Sequence, residues 1–252
     1  ANMGVLGGAN FEYKGKYILD ATYRYDGSSL FGEGNRWAPF GRLSAVWLAS
    51  EESFWNVPYL SEFRVRVSRG TAGNTPRFDA QYETYSCSAT GCSLGQAGNP
   101  KLKPETTTET EAGIDFTVAD RVGIEVTRAE SSTQDQILSV PTPASLGFSN
   151  QWQNAGTLLN RTWEVAVNLP LINTADLQWD VRASYDRTRT SITKLNFPEY
   201  FTNAGLGNGN GSFFLITDRR DVSNGFPANR YGNIWGRKFY RGCNSLPAAV
   251  RS

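Results

Sequence analysis

YILDATYRYDGSS, residues 17–29, is the stretch that decides the fold. Taken alternately, Tyr17, Leu19, Ala21, Tyr23 and Tyr25 fall on one side, and Ile18, Asp20, Thr22, Arg24 and Asp26 on the other. Successive side chains of a β-strand point to opposite faces, so the run predicts a strand with one oily and one wet side. What covers the oily side is then the central question. It is either the core of a protein or the acyl chains of a membrane.

The same pattern recurs along the chain. In EFRVRVSRG, Phe63, Val65 and Val67 oppose Arg64, Arg66 and Ser68, and in TETEAGIDFTV, Ala112, Ile114, Phe116 and Val118 oppose Glu109, Glu111, Gly113 and Asp115. In RTWEVAVNL, Trp163, Val165, Val167 and Leu169 oppose Glu164, Ala166 and Asn168. LQWDVRASYDR sets Leu177, Trp179, Val181, Ala183 and Tyr185 against Gln178, Asp180, Arg182, Ser184 and Asp186. MGVLGGANFEY, GRLSAVWLA and RVGIEVTRAESS are fainter cases. About eight strands of roughly 9–14 residues result, longer than the ~5–6 common in globular sheets and long enough for the ~9–11 tilted residues that cross a bilayer. EESFWNVPYLSE has room for a single helical turn.

The connections alternate in length. YKGKY, ADR and PLINTAD are short, and ASEESFWNVPYLSE is moderate. Residues 26–39, Gly70 to Pro104, Ser139 to Asn160 and everything from Ser191 onward are long. Membrane barrels sort their loops in this way, with short turns at one rim and long loops at the other. Their alternation also keeps charge out of lipid, where an Arg or Lys at mid-depth costs roughly 2–4 kcal/mol. On the wet side Arg64, Arg66, Asp115, Asp180 and Arg182 need no particular partner. Tyr17, Tyr25, Trp163, Trp179 and Tyr185 lie near strand ends, where amphipathic rings suit the headgroup level or ordinary core packing.

The totals exclude several functions. The 252 residues carry 25 Lys+Arg, 24 Asp+Glu and no His, a near-neutral balance that argues against a nucleic-acid partner. Absence of His removes the commonest general base and metal ligand, and no cofactor or metal site is expected. No apolar run reaches the ~18 residues of a membrane helix, while barrel strands are compatible with the mean hydropathy of −0.43. No enzyme is expected. Of Asp26, Glu33, Asp79, Glu105, Glu109 and Glu111, the carboxylates open to a glycosidase pairing, Glu109 and Glu111 sit two apart on one wet face. GLGNGNG (205–211) lacks a following helix period and reads as a loop. Cys87 and Cys92 bracket SATG, and two readings stand: a small disulfide, or two free loop thiols.

Several motifs carry a family likeness. KGKYILDATYRYDGSSLFGEGNRWAPFGRLSAVWLASEESF matches a short turn, a strand ending in R-x-D-G-S-S-x-F-G, a Trp, a strand and an E-x-F turn, through Arg24, Asp26, Gly27, Ser28, Ser29, Phe31, Gly32, Trp37, Glu52 and Phe54. FRVRVSRGTAGN supplies R-x-S-x-G-x-x-G-N with Arg66, Ser68, Gly70, Gly73 and Asn74. NPKLKPETTTETEAGIDF supplies Asn99, Leu102, Lys103, Pro104, Glu105, Glu111, Gly113 and Asp115, and QNAGTLLNRTWEVAV supplies Asn154, Gly156, Asn160 and Glu164. In this order they resemble SusC-like TonB-dependent outer-membrane transporters. YGNIWGRKFY (231–240) is a weaker echo. The chain departs from the pattern at Thr162, in EVTRAESS and in its last residues LPAAVRS.

The resemblance implies an all-β fold: an antiparallel segment of a larger plugged barrel in the bacterial outer membrane. Residues 1–190 would form wall and extracellular loops, and 191–252 a long loop and tail without clear pattern. No segment matches the plug, the TonB-contacting region or the closing strand, so a piece of a longer protein is expected. The resemblance further implies import of glycans or peptides, a SusD-like surface lipoprotein as partner, energy from the TonB system and contact with the lipid bilayer. Candidate ligand contacts in the long loops are Trp37, Tyr82, Tyr85, Trp152 and Asn154; loop packing or lid contact is the alternative use of the same side chains. The rival architectures are a soluble secreted β-sandwich that binds carbohydrate, and a passive porin-type barrel.

Overall fold

A computed structural model describes residues 2–30, 34, 36–203, 213–219, 222–223, 226–227, 229–231 and 234–235. Phe31, Gly32, Glu33, the run at 205–211 and Cys243 lie outside the described residues. In chain order the strands are β1 (Asn2–Tyr13), β2 (Tyr17–Ser28), β3 (Trp37–Leu48), β4 (Leu60–Asn74), β5 (Tyr85–Ser88), β6 (Gly91–Leu94), β7 (Gln96–Ala97), β8 (Glu105–Val118), β9 (Val122–Pro141), β10 (Asn150–Asn173) and β11 (Gln178–Leu195). Eight of them make one antiparallel meander in the order β1-β2-β3-β4-β8-β9-β10-β11. β7 adds a short parallel pairing to β10, and β5 and β6 form a separate hairpin.

The short turns all fall at one end. Lys14 and Gly15 take positive φ in the β1–β2 turn, and Ala119 and Asp120 do so between β8 and β9. Two left-handed residues in succession give a loop whose twist matches that of the flanking strands, closed here by Lys16 N–H to Tyr13 O and Arg121 N–H to Val118 O, each 3.1 Å. A single 3₁₀ turn (Ala49–Glu51) opens the β3–β4 connection, ahead of residues 51–62 where one turn was expected.

Three expectations are corrected by the pairing. β9, β10 and β11 contain 20, 24 and 18 residues, longer than the alternation suggested. The connection expected between Ser139 and Asn160 is therefore only residues 142–149, because Asn150–Asn154 pair with Pro141–Ile137. β11 continues to Leu195 where loop was expected from Ser191, and short strands follow at Tyr200–Asn203 and Phe213–Ile216. In the upper parts of β9, β10 and β11 polar residues without alternation hide the strand, since backbone pairing requires no oily stripe.

The two faces decide the environment. On β2, Tyr17, Leu19, Tyr23 and Tyr25 are 43%, 44%, 58% and 41% exposed, while Asp20, Thr22 and Asp26 opposite them are half-buried. On the wet face Arg42 pairs with Asp20 at 3.0 Å and Arg24 with Asp26 at 2.7 Å. Met3, Val5, Phe11, Leu43, Trp47, Val67, Trp163, Val181 and Tyr185 extend the exposed apolar surface across the sheet. Among the described residues no second sheet covers it, so the two-layer sandwich is not the arrangement. An apolar face this broad is far larger than a soluble monomer exposes, and lipid is the solvent that suits it.

Aromatic residues frame this face at both rims. Tyr13 and Tyr17 lie 6.3 Å apart at the short-turn end, and Tyr25 stacks on Trp37 at 5.2 Å toward the long loops. Tyr17 to Tyr25 is about 26 Å along the strand, and a tilt of about 40° reduces that to a height of ~20 Å, close to the ~25 Å apolar band of outer-membrane barrels. One paired row shows the tilt directly. It runs Ala9, Ala21, Leu43, Arg69, Thr110, Glu130, Arg161, Arg189, apolar over β1–β3 and polar from β4 onward. Tilted strands carry a row of paired residues from the membrane into the aqueous layer in just this manner.

Candidate functional site

The wet face carries a connected ion-pair network on β4, β8 and β9. Arg64 and Asp115 are direct cross-strand partners, as are Arg66 and Gly113. Arg64 Nε donates to Asp115 Oδ2 at 2.9 Å, and Arg66 Nε to the same oxygen at 3.2 Å. Arg66 then crosses the side-chain-free Gly113 to donate to Glu111 Oε1 at 2.7 Å and Thr127 Oγ1 at 2.6 Å. A Cβ at position 113 would lie 2.9 Å from that guanidinium, so glycine there is the gap through which the arginine passes. Arg64, Arg66 and Asp115, expected to need no particular partner, are thus held in specific ion pairs. Asp115 is 8% exposed, and a carboxylate so desolvated requires the opposite charge held beside it. Asp180 and Arg182 have no ion pair among the described residues.

The β4–β8 connection is folded rather than loose. Its turn at Phe78–Gln81 places Ala80 out of solvent, together with Leu102 and Ala155. Side-chain amides then stitch backbone to backbone. Asn99 Nδ2 donates to Trp152 O, Gln151 Nε2 to Gly98 O and Gln96 Nε2 to Asp79 O, at 2.8, 2.8 and 2.9 Å. Gly98 permits the approach, since a Cβ there would sit 2.7 Å from Gln81 O. The β5–β6 hairpin projects from this cap, and Cys87 and Cys92, directly opposed in it, are disulfide-bonded. That settles the choice left open by the sequence.

The five candidate ligand residues separate accordingly. Trp37 is the first residue of β3, not part of a loop, and its ring stacks on Tyr25 on the outward face. Trp152 donates to Gln96 Oε1 at 2.7 Å with Arg77 over its ring at 5.8 Å. Asn154 accepts from Lys103 N–H at 2.9 Å and donates to Lys103 O and Asp135 O, locking the β4–β8 connection to β9 and β10. Tyr82 and Tyr85 are the most exposed of the five, at 56% and 60%, with Tyr82 tilted against the Phe78 ring at 5.6 Å. The amides of Gln81, Gln96 and Gln151 do as much to shape this surface and carry no signal in the sequence, because a lone Gln in a loop looks like solvated surface. Among the described residues no three acidic or Cys side chains converge as metal ligands.

A barrel-wall topology with an oily exterior agrees with what known proteins show. A family model described as TonB dependent receptor-like, beta-barrel matches residues 1–245. The chain belongs to the TonB-dependent receptor-like β-barrel family. Within it, the chain is 31% identical over 219 residues to TonB-dependent receptor SusC of Bacteroides thetaiotaomicron, covering 79% of this chain and 22% of that protein. It is 30% identical to TonB-dependent receptor P26 of Formosa agariphila, over 81% of this chain and 22% of the relative. The chain thus spans about a fifth of the length of these curated relatives. Of solved structures, the RagAB peptide transporter superposes with a TM-score of 0.71 at 25% identity, over 84% of this chain and 24% of that one. The siderophore receptor PirA of Pseudomonas aeruginosa (TM-score 0.53, 20% identity, 76% of this chain and 36% of that one) shares the fold. The location is the bacterial outer membrane.

Family membership gives the motif residues a structural meaning. Glu105 accepts from Ile137 N–H at 2.7 Å and from Asn74 Nδ2 at 3.4 Å, so two motif residues join the tops of β4, β8 and β9. Leu102 is fully buried under the loop cap, and Asn99 and Asn154 pin that cap to β10. These motifs build the long-loop rim.

Proposed function

We propose that this chain supplies part of the wall and outer loops of a TonB-dependent importer, taking up glycans or peptides with a SusD-like surface lipoprotein above it. Residues 1–190 serve as wall and loops in this reading, with β11 carrying the wall on to Leu195. Energy enters through the TonB system by way of a plug elsewhere in the longer protein, and no catalytic step is involved. The observation that carries the reading is the likeness to the RagAB peptide transporter over 84% of this chain at 25% identity. A passive pore has no such support.

Tyr82 and Tyr85 are the contacts proposed for cargo or lid, because their rings are more than half exposed beside a hydrogen-bonded cap. The test uses the full-length transporter in its own cell. Disrupting it abolishes growth on an oligopeptide or oligosaccharide mixture that wild-type cells import, and Tyr82→Ala with Tyr85→Ala lowers that uptake without lowering the amount of barrel in the membrane. Undiminished uptake on disruption would sink the importer reading, and undiminished uptake in the double variant would remove the two tyrosines from it.

A further inference from the structure

Along the outward face of β4 and β8–β11 the chemistry changes over four successive paired rows. Phe63, Phe116, Ile124, Val167 and Ala183 form the first, and Val65, Ile114, Val126, Val165 and Tyr185 the second, nearer the long loops. The third holds Val67, Ala112, Arg128, Trp163 and Arg187, and the fourth Arg69, Thr110, Glu130, Arg161 and Arg189. Lipid-compatible surface thus gives way to an aromatic pair and then to arginine within two rows.

The sign of this charge is one-sided. Arg69, Arg128, Arg161, Arg187 and Arg189 share the third and fourth rows with one acid, Glu130. Glu111, Asp115, Glu125, Glu164, Asp180 and Asp186 of these strands fall on the opposite face by register. Glu130 is already engaged: it accepts from Arg161 Nε at 2.9 Å and lies 3.8 Å from Arg128 Nη2. Arg128 lies over the Trp163 ring at 5.4 Å, and Arg161 remains 56% exposed. A surface built only for solubility mixes both signs, whereas this one sorts its acids away and leaves guanidinium forks at the upper edge of an oily band. A guanidinium matches a phosphate with two parallel hydrogen bonds and is weakly enough hydrated to work at a membrane interface.

We propose that this arginine patch binds the phosphate of an outer-leaflet lipid headgroup, with Trp163 and Tyr185 against the top of its acyl chains. The site rests on the outer-membrane placement of the wall and is independent of what is imported. The test uses the full-length transporter, delipidated in a maltoside detergent, and native mass spectrometry with two probes: monophosphoryl lipid A and the same lipid with its phosphate removed. The phosphorylated lipid is expected to bind at least tenfold more tightly. Replacing Arg161, Arg187 and Arg189 by Gln is expected to weaken it about a hundredfold, at roughly fivefold per arginine near a charged interface. Arg182→Gln, on the wet face, is expected to leave binding unchanged. Equal binding of the two lipids by the wild-type protein overturns the proposal and requires no variant to fold. Unchanged binding in the triple variant also overturns it, as does inorganic phosphate competing as effectively as the lipid, which would mark a free-anion site. Uptake measured in parallel keeps a failure here separate from a failure of the importer reading.

Discussion

Glu52 ties the short-turn rim together through three donors: the Tyr17 hydroxyl, the Trp47 indole N–H at 3.3 Å and the Lys16 ammonium at 3.3 Å. The Tyr17 hydrogen bond, then that of Trp47, holds its carboxyl below the ordinary 4.5. A carboxylate depressed in the folded state stabilises it fully above the unfolded value, and that contribution is lost as pH falls through the folded one. Glu52→Gln in the full-length protein is therefore expected to lower thermal stability at neutral pH, with the deficit shrinking as pH falls below the ordinary carboxylate range. A deficit that stays constant on acidification would contradict this account. Gly156 faces the opposite kind of constraint, since a Cβ there would collide with the Lys194 carbonyl at the β10–β11 bulge. Backbone cannot step aside as a flexible side chain can, so Gly156→Ala is expected to cost about 1–3 kcal/mol in chemical denaturation.

At the scale of a strand, alternation means that neighbouring positions have unrelated tolerances. Val167 pairs with Ile124 and Ala183 on the oily face, and Ala166 with Glu125 and Ser184 on the wet one. Val167→Arg is expected to cost roughly 2–4 kcal/mol in refolding into bilayers, because the new charge sits within the apolar band. Ala166→Arg places the same charge beside Glu125 and is expected to cost less than ~1 kcal/mol. Similar penalties at both positions would show that the strand does not separate lipid from lumen. The strands themselves were legible wherever one face is oily: β2, β4, β8 and the membrane-crossing parts of β10 and β11 all follow the alternation of their residues. The upper halves of β9, β10 and β11 were not, because above the bilayer both faces meet water and selection for an oily stripe ends.

The whole wall makes a further prediction. With Cys243 replaced by Ser, a nitroxide attached at Val165→Cys is expected to collide with lipid-dissolved oxygen, and one at Ala166→Cys to be shielded from it. The reverse order would place the oily face against protein and overturn the membrane assignment. The rims are stiffened differently: tight three-residue turns after Tyr13 and Val118 at one end, and at the other a cap in which Asn99, Gln96, Gln151 and Asn154 bind backbone distant in sequence.

Period-two hydrophobicity, the unequal connections and the ordered motifs were sufficient, without coordinates, to specify long antiparallel strands, a membrane-facing side and the transporter family. Each is a local property of the chain, since the direction of a side chain follows from its place along its own strand. Register across the sheet, the passage of Arg66 over Gly113, the cap that engages Trp152 and Asn154, and the outward arginine rows needed the tertiary structure. They depend on which residues of separate strands come to lie side by side, and that is set by pairing between distant segments.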